Sequence, residues 1–119
     1  MIIEAPRLNY REIDMIVRDL GNDKVPFNLS GGEVDILFTV KERLTDGDEL
    51  IRIQKDLAGG GIELIDAENG EITVIITPGD TSLPATDYYY DLFIIKDGRA
   101  YSSKPALFRI TDTVLGALP

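Results

Sequence analysis

Thr77-Pro-Gly-Asp-Thr-Ser-Leu-Pro-Ala-Thr-Asp-Tyr-Tyr-Tyr-Asp-Leu92 follows directly on an alternating segment, Gly70 to Thr77. It reads as the end of one strand, a single corner, and the start of a tyrosine-rich strand. A chain that leaves one sheet of a sandwich and enters the other needs turn formers, an apolar plug for the edge of the core and a tie for the corner. Pro78, Gly79, Asp80 and Thr81 supply the turn chemistry. Leu83 is the expected plug and Asp80 the expected cap. Tyr88 is the expected tie, with a buried ring and a hydroxyl bonded back to the corner backbone.

Outward from this corner the same grammar repeats. Glu33–Lys41 alternates: Val34, Ile36, Phe38 and Val40 share one face, while Glu33, Asp35, Thr39 and Lys41 share the other, with Leu37 as the exception. A period of two over nine residues fits a strand and not a helix. Glu71–Thr77 places Ile72, Val74 and Ile76 together, and Asn69-Gly70 before it is a hairpin signal. Arg11–Asp19, Leu50–Lys55 and a short piece at Ile62, Leu64 and Ile65 are further expected strands, with turns at Leu20–Lys24 and Ser30–Gly32. Val25–Leu29 reads as a short extended piece, with Pro26 favouring an edge. Asp97-Gly98 is a tight turn, after which Arg99–Thr111 returns with an interruption at Lys104-Pro105. Phe108 and Ile110 are its best core candidates. No helix longer than one turn is expected.

The 119 residues are expected to form one domain, with residues 1–10 as an N-terminal arm and 112–119 as a C-terminal tail. Twelve Lys and Arg against 21 Asp and Glu give a formal charge of -9. That field repels phosphates and anionic membrane surfaces, so neither nucleic-acid binding nor membrane docking is expected. No apolar run approaches the ~20 residues of a bilayer span, and the start Met1-Ile-Ile-Glu-Ala-Pro-Arg7 does not read as a secretory signal. The chain has no cysteine and no histidine. Disulfides, thiolate metal sites, histidine triads and the usual zinc ligand sets are therefore excluded.

Other candidate chemistry is weak. Asp46-Gly-Asp-Glu49 clusters carboxylates but lacks the spacing of a twelve-residue calcium loop. Asp80 and Asp91 flank the start of the tyrosine strand, yet nothing in a sequence fixes the separation that glycoside hydrolysis requires. Ala58-Gly-Gly-Gly61 lacks the Gly-Lys-Ser/Thr ending of a phosphate loop. The expectation is no catalytic residue, no metal and no cofactor.

The strand Tyr88–Lys96 is apolar on both faces: Tyr88, Tyr90, Leu92 and Ile94 on one, Tyr89, Phe93 and Ile95 on the other. A two-sheet sandwich buries only the first set. The second predicts an interface at Tyr89, Phe93 and Ile95, used for self-association or for docking, with Leu37 and Ile75 as extensions. The alternative is that the N-terminal arm or Val114–Leu118 folds back over it.

Several segments together resemble a known family. They are Val25-Pro-Phe-Asn-Leu-Ser-Gly-Gly-Glu-Val34 leading into Ile36-Leu-Phe-Thr-Val-Lys41, then Gly61-Ile-Glu-Leu-Ile-Asp66 and Asn69-Gly-Glu-Ile-Thr-Val-Ile-Ile-Thr-Pro78, and last Asp80-Thr-Ser-Leu-Pro84 and Tyr88-Tyr-Tyr-Asp-Leu92. The ordered set, over residues 12–112, resembles the immunoglobulin-like domain at the N-terminus of phage baseplate upper proteins and related tail-associated domains. Thr86-Asp87 stands where the family often has a glycine. The resemblance implies an all-β, immunoglobulin-like antiparallel β-sandwich of about seven strands. It implies a non-enzymatic structural or assembly protein of a phage or prophage tail, partnered by itself or by other tail proteins. The expected place is the virion, or the bacterial cytoplasm for a prophage-encoded chain. The alternative function is an adhesin module that binds a carbohydrate or receptor, with a cell-surface glycan as partner.

Overall fold

In a computed structural model, which describes residues 2–19 and 22–112, the chain is all-β and sandwich-like. Its strands are β1 (Ile3–Pro6), β2 (Arg11–Ile16), β3 (Arg18–Asp19), β4 (Asn22–Pro26), β5 (Val34–Lys41), β6 (Ile51–Asp56), β7 (Ile62–Asp66), β8 (Glu71–Ile76), β9 (Asp87–Lys96), β10 (Arg99–Ser102) and β11 (Ala106–Thr111). One turn of 3-10 helix, Asp48–Leu50, precedes β6. The larger sheet runs β1-β11-β9-β5-β6, with β10 also pairing β9, and the smaller runs β2-β8-β7. β3 and β4 make a separate hairpin.

Alternation decides which side chains meet between the sheets. β5 buries Ile36, Phe38 and Val40 completely, and β9 turns Tyr88, Tyr90, Leu92 and Ile94 the same way. β8 sends Ile72, Val74 and Ile76 against them from the smaller sheet. Phe38 lies at the middle of this core, 5.3 Å from the Tyr90 ring and 6.0 Å from the Phe108 ring, centroid to centroid. Such tilted and edge-to-face contacts add to the burial of the rings themselves.

The structure departs from the sequence reading in several places. Within residues 1–10, expected as an N-terminal arm, Ile3 and Ala5 alternate into the core and β1 pairs with β11. That pairing is parallel, so the larger sheet is mixed and not purely antiparallel. β1 enters at the sheet edge from the same end as β11, which is why its ladder runs in that sense. Asn22–Lys24, expected in a turn, belong to β4, while Leu20 and Gly21 lie outside the described residues. Arg11–Asp19 and Arg99–Thr111 are each divided in two, and β1 and β4 are added. The described residues therefore carry eleven strands where about seven were expected. Leu64 is partly exposed although Ile62 is buried, because β7 is a sheet edge with an irregular register after Leu64.

Two turns show why particular residues are required. At Asp97-Gly98 both φ angles are positive, 51° and 80°, the geometry of a tight two-residue hairpin. Gly70 has φ +68°, and a Cβ there would lie 2.6 Å from the Val17 carbonyl oxygen and 2.8 Å from that of Phe27. The close approach lets the Val17 N–H reach the Gly70 carbonyl at 2.8 Å and joins the β3–β4 hairpin to the smaller sheet.

The corner between β8 and β9 is tied from several sides. The Tyr88 ring is buried and its hydroxyl donates to the Pro84 carbonyl at 2.9 Å. Leu83 is half-buried against the core. Thr81 is fully buried, its hydroxyl accepting from the Leu8 N–H at 2.9 Å, and the Arg7 Nε–H donates to the Leu83 carbonyl at 3.0 Å. The segment after β1 thus holds the corner in place.

Tyr88→Phe keeps the ring and removes one hydrogen bond, so urea denaturation should show a loss of about 1 kcal/mol. Gly70→Ala combines a strained φ with two backbone clashes and should cost more than the tyrosine change. An unaltered midpoint in both variants would contradict this account of the corner and the hairpin.

Candidate functional site

β9 is paired along both edges. β5 lies beside it from Val34↔Lys96 to Lys41↔Tyr89, and β11 and then β10 lie on its other side. Every second residue of β9 therefore projects onto the outer face of the larger sheet: Tyr89, Asp91, Phe93 and Ile95. The register places Leu37 opposite Phe93, Thr39 opposite Asp91 and Lys41 opposite Tyr89. On the other side Leu107 stands opposite Tyr89.

Most of these side chains, but neither Ile95 nor Leu107, form the floor of an open groove of about 500 Å³. Leu37, Tyr89, Asp91 and Phe93 line it, with Leu44 and Ile51 from the β6 side and Pro105 from the β10–β11 connection. Tyr89 and Phe93 thus share one groove. Ile95 is on the same face but does not line it, and is 37% exposed. Ile75 belongs to β8 in the smaller sheet, opposite Glu12, and does not extend this surface. β1 lies beside β11 in the plane of the sheet, so the N-terminal segment forms its edge and does not lie across the groove. The proposed covering segment Val114–Leu118 lies outside the described residues.

Sequence reasoning weighed Asp91 only as a possible partner of Asp80, and the structure places the two carboxylates apart, Asp91 on the outer face of β9. It is half-buried between two aromatic neighbours, and no hydrogen bond reaches its carboxylate among the described residues. Burial pushes its pKa up, and the charge of Lys41 opposes the shift only in part. The Lys41 ammonium donates to the Asp46 carbonyl at 3.0 Å. The signal was available: a lone carboxylate amid apolar residues on a central strand.

Asp80 lies elsewhere, at the corner. Its carboxylate accepts the Thr77 N–H at 2.7 Å and the Thr77 hydroxyl at 2.9 Å, which caps the end of β8. It also pairs with Lys55 at 2.6 Å, both side chains being at most 20% exposed. Lys55 is the inward-facing residue opposite Phe38 on edge strand β6, so this ion pair joins the two sheets. Burial works to raise the Asp80 pKa, but the Lys55 and Thr77 bonds outweigh it and hold the carboxyl below its ordinary value. At the far edge Arg109 bridges Asp87 at 2.7 Å and Glu4 at 3.5 Å, a cross-strand set that fastens β1 to β11 and β9.

A second groove, about 420 Å³, lies on the outer face of the smaller sheet, where Asp14 accepts the Thr73 hydroxyl at 2.8 Å beside exposed Ile16 and Ile65. Asp46 accepts its own turn's Arg43 N–H at 3.1 Å, as a solvated loop residue does. Among the described residues no three acidic groups come together as a metal site, and no helix is long and apolar enough to cross a membrane. Ala58–Gly61 forms the turn between β6 and β7, with Gly60 at φ +85°. No protein-family model matches the chain, and no curated protein matches it.

Two titrations follow. Asp80 has a lowered pKa, so its contribution is complete above the ordinary carboxyl value and is lost as pH falls through the lower folded value. Asp80→Asn should cost on the order of 1–3 kcal/mol near neutrality, and its gap from wild type should narrow below about pH 4. Asp91 has a raised pKa, so its ionised form opposes folding at neutral pH; the penalty shrinks as pH falls below the raised value and is gone only below the ordinary carboxyl value. Asp91→Asn should leave the denaturation midpoint at pH 7 unchanged or higher; a clear loss would contradict the assignment of Asp91 as a desolvated, unbonded carboxylate.

Proposed function

We propose that this chain is a non-enzymatic immunoglobulin-like binding module, acting through protein–protein contacts as a structural or assembly protein of a phage or prophage tail. The observation that carries the reading is the outer face of the larger sheet. Leu37, Tyr89 and Phe93 surround a groove on the central strand, and Ile95 continues the surface beyond it. Leu37, Tyr89 and Phe93 keep only part of their surface open, but with exposed Ile95 they make an apolar patch of the kind that marks interaction sites. Aromatic residues at the centre of such a face are the usual anchors of an interface.

The immunoglobulin-like assignment is supported by strand order. β2-β8-β7 follows the B-E-D order of that fold, β5 and β9 take the places of its C and F strands, and β6 lies where variable-type domains add a strand. Tyr88, near the start of β9, bonds to backbone four residues upstream, as the tyrosine corner does. The tail assignment rests on the resemblance of residues 12–112, and with it comes the virion, or the cytoplasm of a bacterium carrying a prophage, as the place of action.

A second reading is favoured by one observation. Tyr89, Asp91, Thr39 and Gln54 line the same groove, a mixture of aromatic and polar groups that also suits a sugar. In that case the chain is an adhesin module for a cell-surface glycan.

Sedimentation at several concentrations, alone and with tail proteins, separates the readings. The wild type is expected to self-associate or to co-sediment with a tail protein, and Phe93→Ser to do neither. A wild type that stays monomeric and ignores tail proteins, yet binds a glycan lost on Tyr89→Ala, overturns the assembly reading in favour of the adhesin.

A further inference from the structure

We infer that the groove on β9 receives an arginine side chain presented by a partner protein, with the guanidinium on Asp91 and the stem between Tyr89 and Phe93. This rests on the interface reading above and adds the chemistry of the partner.

The first support is position. Asp91 lies between Tyr89 and Phe93 on the same face of β9, each two residues away and so roughly 7 Å along the strand. Its cross-strand neighbour is Thr39. A ligand reaching the carboxylate must therefore pass aromatic rings, and the space of about 500 Å³ admits a long side chain.

The second support is the state of the carboxylate. It is half-buried, and no donor among the described residues bonds to it. A desolvated anion without a donor is costly, and a charged donor from outside removes that cost. Lys41 stands at the Tyr89 end of the groove and eases the Asp91 charge only in part, while Leu37, opposite Phe93, brings no charge to the other end.

The third support is complementarity. A formal charge of -9 draws basic partners and repels acidic ones. Arginine fits better than lysine, because a planar guanidinium stacks on aromatic faces, offers paired N–H groups to a carboxylate and gives up its water more easily.

The test is a nuclear magnetic resonance titration of the folded, nitrogen-15-labelled chain with N-acetyl-arginine amide. Its neutral isostere N-acetyl-citrulline amide and methyl glucoside serve as comparisons. Saturable shifts are expected at the amides of Thr39, Tyr89, Asp91 and Phe93 with the arginine compound. Asp91→Asn, or citrulline on the wild type, should weaken that response about ten- to a hundredfold. The citrulline arm decides the matter even where the variant folds poorly. Equal responses to arginine and citrulline, shifts confined to other surfaces, or saturation by the glucoside alone would each overturn the inference. Phe93→Ser sedimentation reads the interface separately, so association that persists without an arginine response discards only the chemistry of the partner.

Discussion

The bond from the Tyr88 hydroxyl to the Pro84 carbonyl fixes where β9 begins, and most of the structure depends on that start. In a strand, a slip of one residue exchanges the two faces. β9 carries apolar residues on both, and only Asp87 and Asp91 mark the set Tyr89, Phe93 and Ile95 as the outward one. The corner sets the same parity from the start of the strand. With Tyr88 held inward, the even-numbered residues must enter the core and the odd-numbered ones must face out. The same bond that closes the core therefore also lays out the groove.

The polar groups around this frame divide by how well they are paired. Lys55 points inward from an edge strand, a placement that discourages another chain from adding to that edge. It is tolerable because Asp80 meets it across the sandwich, and Asp80 in turn caps β8 through Thr77. Arg109 likewise connects three strands through Asp87 and Glu4. Asp91 is the exception, since burial disfavours its charge and no bond compensates. Asp80 shows how this fold bonds a partly buried carboxylate, and Asp91, which lacks such bonds, is where we propose that a partner's cation docks.

Much of this was legible in the residues. Alternation in Val34–Val40 and Ile72–Ile76, with Leu37 and Ile75 as its exceptions, specified the core of both sheets, because a period of two sorts the remaining residues onto opposite faces. Asn69-Gly70 and Asp97-Gly98 marked turns that need positive φ. The corner was readable because its three parts, turn formers, plug and tyrosine, occur in order. What escaped was set by long-range geometry. Ile3-Glu-Ala5 is too short a pattern to announce a strand, and its parallel pairing depends on β11, more than a hundred residues away. The Lys55–Asp80 pair and the ties from Arg7 and Leu8 to the corner likewise join residues whose proximity no local signal records. Ile75 carried the same outward apolar signature as Leu37, yet the two belong to different sheets.

We propose that another protein covers the Tyr89–Phe93 face when the chain is at work. Hydroxyl-radical footprinting measures this directly, by comparing the purified chain at low concentration with the chain inside the complexes it forms in the cells that make it. Tyr89 and Phe93 are expected to lose reactivity in the complex, while Tyr10, 58% exposed and away from the groove, keeps its own. Equal reactivity of Tyr89 and Phe93 in both states, with protection elsewhere, would contradict it.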